Sequence, residues 1–208
     1  MRLFSWILLF LLQLYFNVFP VSSFWLRVFL LSSIMLLSPV LWIKLVERRP
    51  IKSRLGLDEK GVTALTYAAS AAILVFFTRD SFGEATLLTG GALIVPLFEE
   101  LFFRAYLLGS MVNGWPSLHD LPRMERMRLF KLSLFPLFLT SLSFALVHDD
   151  VITTLLSLPL IDPNSLVVFT LRLVFGMTVG GLYLLKGKLI APVAFHVTFN
   201  LSYFLLRG

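Results

Sequence analysis

The chain has 208 residues, of which 58% are hydrophobic and 14% charged, with a mean hydropathy of +0.87. A soluble domain carries about 25% charged residues, so this composition excludes a soluble fold and indicates an all-α, polytopic transmembrane helix bundle. The net charge of +6 sits in loops between apolar stretches, with no nucleic-acid motif, which points to topology and anionic lipid, while the absence of Cys removes disulfides, thiol nucleophiles and cysteine-held metals.

About seven spans are expected, each near the ~20 residues a bilayer requires. Met1-Arg2 opens the first, at 3–20, which reads as a retained span because no small-residue cleavage pattern follows it. The others fall at 24–45, 61–78, 86–110, 130–148, 165–185 and 189–206. Turn signals separate them: Pro20, Gly61, Gly83, Asn113-Gly114, Asp162-Pro163 and Gly187. Segment 151–161 is too short to span alone and reads as a re-entrant piece, an interfacial helix or a continuation of the fifth span. Residues 1–60 form N-terminal helices and a basic loop, and 61–208 form the core, together one structural domain. Basic residues cluster at 46–60 (Arg48, Arg49, Lys52, Arg54, Lys60), at 111–131 (Arg123, Arg126, Arg128, Lys131) and at Lys186 and Lys188. The intervening loops are poor in them. That alternation suits seven crossings, with the N-terminus in the cytoplasm and the protein in the cell membrane.

The fourth span carries "LFEELFFRAYLL", residues 97–108. A charge at the centre of a membrane helix costs roughly 3 kcal/mol on insertion scales, so such residues usually face a bundle interior and mark a site. Glu100 and Arg104 are spaced i,i+4 and can pair on one face. Glu99 points about 100° away from Glu100. Arg104 is therefore expected to neutralise Glu100 and leave Glu99 for another task. A packing network of all three is the competing explanation. Arg172, in the sixth span, reads as a snorkelling or paired cation.

Of three histidines, His119 falls in a basic loop and reads as solvated. His148 ends "FALVH", and His196 begins "HVTFN", where His196 and Asn200 share a helix face. A lone membrane histidine is commonly a hydrogen-bonder between helices. Two of them, on helices other than the one carrying the glutamates, supply the parts for amide hydrolysis: a Glu–His pair to activate water, and a His and an amide to donate to an oxyanion. Other hydrolase signatures are missing: H-E-x-x-H, G-x-S-x-G and any Cys.

"EELFFR", "FALVH" and "HVTFN" resemble, in order, the E-E-x-x-x-R, F-x-x-x-H and H-x-x-x-N/D motifs of the CPBP family of intramembrane proteases. That family includes CAAX prenyl endopeptidases and bacteriocin-processing or immunity proteins. The resemblance covers about residues 85–206. It implies that Glu99, with His148 assisting, activates the attacking water. It also implies that His196 and Asn200 stabilise the oxyanion, and that Glu100, Arg104 and Phe144 are supporting residues.

The expected function is an intramembrane endopeptidase acting on a membrane-associated or lipidated protein or peptide. The alternative is a non-catalytic scaffold or immunity-type protein of the same fold. A transporter would also use buried Glu, His and Arg, but the broken helices in related halves that mark many transporters are missing. No metal or other cofactor is favoured. Zinc is the competing possibility, held by Glu99, His148 and His196. Expected partners are the substrate and the lipid bilayer, with no nucleic acid. One geometric question remains open: straight, perpendicular helices would put His148 near the outer membrane edge and His196 about 10 Å from the inner one. Either the fifth helix continues through 149–161, or tilt and a cavity bring the two together.

Overall fold

The computed structural model describes residues 2–18, 24–48, 92, 95–112, 122–148 and 163–207. Among them every regular element is a helix. The helices are α1 (Arg2–Val18), α2 (Phe24–Trp42), α3 (Val95–Glu100), α4 (Arg123–Leu132), α5 (Leu134–Leu146), α6 (Pro163–Lys186) and α7 (Ile190–Arg207). The all-α expectation holds. One described helix, α6, is long and apolar enough to cross a membrane, or two if α4 and α5 are one bent span. The expected span at 61–78, the segment 151–161 and the loop carrying His119 lie outside the described residues.

Local chemistry accounts for the helix starts. Pro163 opens α6, and Pro192 lies in the first turn of α7, where the missing N–H has no intrahelical partner to lose. The fifth expected span, 130–148, is interrupted near its start. The chain turns by 64° between α4 and α5. Pro136 cannot donate to the carbonyl of Leu132, so the helix breaks at Ser133, whose N–H instead bonds Phe130 O at 3.1 Å. α5 ends at Leu146, so His148 follows the helix directly and does not lie inside a longer one.

α3 is the centre of the molecule. It continues through Leu101–Leu108 as a π-helix, every residue of which is buried. Leu101, Ala105 and Leu108 face one apolar cluster, with Leu137, Tyr183, Val193 and Val197. Phe102, Phe103, Tyr106 and Leu107 face a second, with Leu9, Met35 and Phe144. The stretch is thus packed among α1, α2, α5, α6 and α7.

α6 packs most extensively against α5. The approach is close at Gly176, where an added Cβ would lie 3.2 Å from Ser141 Cα, and at Gly180, where it would collide with Leu137 Cδ1 and lie 3.8 Å from Arg104 Cδ. Small residues permit this in membrane bundles, where association rests on close packing of helix surfaces. α6 ends at Gly187, whose φ of 67° lets its N–H cap Tyr183 O at 2.8 Å. The chain then reverses into α7 within three residues, as the turn signal at Gly187 implies.

Substituting Gly180→Leu is expected to destabilise the protein by roughly 1–3 kcal/mol through overpacking against Leu137. Gly181→Ala, where a new Cβ would meet Phe130 Cε2 at an ordinary 3.6 Å, should leave stability unchanged or slightly raised. Thermal melting of both variants in the same detergent checks the contrast.

Candidate active site

Glu100 is fully buried and faces two partners from different directions. Its Oε2 lies 3.1 Å from Arg104 Nε one turn on, the i,i+4 pair expected from spacing. Its Oε1 lies 2.8 Å from His196 Nδ1 on α7. Because a carboxylate oxygen only accepts, His196 donates from Nδ1 and presents Nε2 to the other side of its ring. Besides its pair with Arg104, Glu100 ties α3 to α7 and sets the orientation of His196.

Arg104 is also fully buried. Its contact with Glu100 is an ion pair, not an aligned hydrogen bond, and its two Nη atoms have no hydrogen-bond partner among the described residues. Its guanidinium carbon stands 5.1 Å from the centre of the Phe144 ring, a cation–π contact that gains strength where water is excluded. Phe144 is the hub of the aromatic shell. Its ring centre lies 4.5 Å from that of His148, 5.3 Å from Phe103 and 6.2 Å from His196. The supporting residue of the second motif therefore touches both histidines and the arginine.

Glu99 turns away from Arg104, as the 100° offset implies, and meets both histidines. His196 Nε2 is 3.6 Å from Glu99 Oε2, and His148 Nε2 is 3.9 Å from Glu99 Oε1. His148 gives its Nδ1 hydrogen to Phe144 O at 2.7 Å, since a carbonyl can only accept. Both rings are therefore pinned through Nδ1 and aim Nε2 at Glu99. The separations exceed direct hydrogen-bond length and match polar groups that share a bridging water. Glu99 is 8% exposed and the His148 side chain 25% exposed, whereas His196 is buried. The site therefore opens on the His148 side. His148 and His196 therefore do meet at Glu99, with His148 just beyond the end of α5.

Asn200 sits half-buried one turn beyond His196 on α7. Arg172, on α6, lies within electrostatic reach of Glu99. Phe175 was not legible as a site residue. Its ring centre lies 4.7 Å from that of His196 and 4.9 Å from that of Phe199, and nothing in the sequence sets it apart from the other Phe residues. Two histidines and a carboxylate are a donor set that zinc uses. Among the described residues, however, no group of three His, Cys, Asp or Glu is arranged to hold a metal ion.

A family model described as "Type II CAAX prenyl endopeptidase Rce1-like" matches residues 81–202. The chain belongs to this family. The match spans all three motifs, from Glu99 to Asn200. Membership makes the protein a CAAX-type membrane protease at family level, with a membrane-associated protein substrate and a lipid environment. Comparison with curated proteins and with solved structures gives no match.

Removing one partner of the Glu100 network should cost stability. Glu100→Ala or Arg104→Ala strands a buried charge, a loss of about 3–5 kcal/mol, whereas Glu99→Ala leaves the Arg104–Glu100–His196 chain intact. Folded yield after solubilisation, measured by size-exclusion chromatography, should fall for the first two and stay at the wild-type level for the third.

Proposed function

We propose that the protein is an intramembrane endopeptidase, built as a seven-span bundle with a cytoplasmic N-terminus, that cleaves a peptide bond of a membrane-associated or lipidated substrate with water activated by Glu99. The observation that carries this reading is the convergence on Glu99 of two Nδ1-pinned histidines, one just after α5 and one on α7. Glu99 and the Nε2 lone pair of His148 are both acceptors. Together they hold the two protons of one water and leave its oxygen free to attack.

In the proposed step Glu99 takes a proton from that water as its oxygen bonds to the scissile carbonyl carbon. The carbonyl π electrons move onto the oxygen. His196 donates to this oxyanion from Nε2, in the doubly protonated form that Glu100 and Glu99 balance on either side. Asn200 donates from its amide. Glu99 then returns the proton to the leaving nitrogen as the C–N bond breaks, so no net proton is consumed within the site.

Glu99→Ala and His148→Ala should lower the cleavage rate by at least about 10²-fold. Asn200→Ala, which removes an oxyanion donor, should lower kcat by about 10²–10³-fold with KM little changed. The assay is cleavage of a prenylated peptide by the purified protein in lipid nanodiscs. Wild type inactive towards prenylated, unmodified and transmembrane peptides would favour the scaffold reading. Retained activity in Glu99→Ala would overturn the assignment of the base.

The route is proposed to be metal-free. What favours this is Asn200 one turn from His196, an arrangement suited to two donors at one oxyanion. A zinc-bound His196 would have no Nε2 hydrogen to give. Chelator is therefore expected not to inhibit cleavage, and purified active protein to lack stoichiometric zinc by elemental analysis. Zinc bound by wild type and lost in His196→Ala, with activity restored by zinc after chelation, would establish the other mechanism.

A further inference from the structure

α4 carries a feature that the proteolytic site does not use. Arg123, Met127 and Lys131 follow one another at i, i+4 and i+8, and Met124 and Arg128 fall on the same face. Together these five line an open groove of about 380 Å³. Glu125, two residues from Arg123, points off this face, so the groove presents three cations, two methionines and no carboxylate. A solvated basic loop would offer charge alone. Here exposed thioether carbon accompanies the charges, with Met124 84% exposed.

The groove also has a definite place. α4 leaves the axis of α5 by 64°, and α5 turns Phe135 (72% exposed), Phe138 and Leu139 outward, a surface suited to acyl chains. A basic segment that immediately precedes an apolar helix is suited to the headgroup level of a bilayer. About 13 residues of α5 separate the groove from His148, roughly 20 Å at helical rise.

We propose that this groove binds the phosphate headgroup of an anionic phospholipid. Arg123, Arg128 and Lys131 hold the phosphate, and Met124 and Met127 lie against the glycerol and upper acyl carbons. Arginine suits phosphate through its planar donor fork, and basic residues next to a span attract anionic lipid by the equivalent of about fivefold in affinity per charge. The site is separate from the proteolytic one and its test needs no activity.

The full-length protein in a neutral detergent is mixed with equal amounts of palmitoyl-oleoyl phosphatidylglycerol and phosphatidylcholine, and retained lipid is counted by native mass spectrometry. Wild type should keep phosphatidylglycerol over phosphatidylcholine by on the order of a hundredfold, about fivefold for each of the three cations. The triple variant Arg123→Gln/Arg128→Gln/Lys131→Gln should keep the two equally. A control removing three exposed cations elsewhere, Lys44→Gln/Arg48→Gln/Lys186→Gln, should retain the preference. If the first triple variant does not fold, Arg128→Gln alone should reduce the preference about fivefold. Equal retention by wild type would overturn the proposal, as would an equal loss in the control, which would mark an effect of net charge. Displacement of phosphatidylglycerol by millimolar inorganic phosphate or by a hexaglutamate peptide would likewise replace it with a soluble-anion or acidic-peptide site.

Discussion

A carboxylate buried away from water costs several kcal/mol unless counter-charge and hydrogen bonds are built around it. Glu100 meets that condition through Arg104 on its own helix and His196 on another. Much of the surrounding structure follows from this requirement. The central helix must bring Arg104 around to Glu100. α7 must deliver His196 at 2.8 Å. α6 must come close enough at Gly180 to wall off the arginine side chain, and Phe144 must cover the guanidinium face. One buried charge thereby joins α3, α5, α6 and α7.

The same network divides labour between two adjacent glutamates. Glu100 is enclosed by Arg104 and His196 and is fully buried, out of reach of a substrate. Glu99, one residue earlier, borders the opening and faces two nitrogens whose other ring positions are already committed. A π-helical stretch follows directly. Such wider turns are uncommon and recur at functional sites. Here the stretch presents large aromatic residues to one side and aliphatic ones to the other, so the carboxylates sit at the junction of two different cores.

Several of these features were legible in the chain alone. Apolar length and turn residues placed α6 and α7 within two residues of their observed ends, because both depend on local signals: Pro163 at one start and Gly187 between them. The i,i+4 spacing gave the Glu100–Arg104 pair and separated Glu99 from it, since helix faces are a matter of counting. The break at Ser133 was readable in principle from Pro136 but is obscured by the apolar run that continues across it. The bond from His196 to Glu100 spans 96 positions, and no periodicity encodes a partner so distant. Phe175 was hidden for another reason: in a chain this rich in phenylalanine, one ring beside a histidine leaves no mark on composition or pattern.

The three-residue reversal at Gly187 bears on how such a protein can vary over time. α6 and α7 are locked to each other by that turn, and His196 falls a fixed number of residues after it. One residue gained or lost between Ile190 and His196 would swing the imidazole by about 100° around α7 and carry it away from Glu100. The hairpin is therefore a ruler that tolerates exchange of side chains but not changes of length. Insertions and deletions that survive in descendants of this chain should collect elsewhere, leaving the distance from Gly187 to His196 as a fossil of the original geometry.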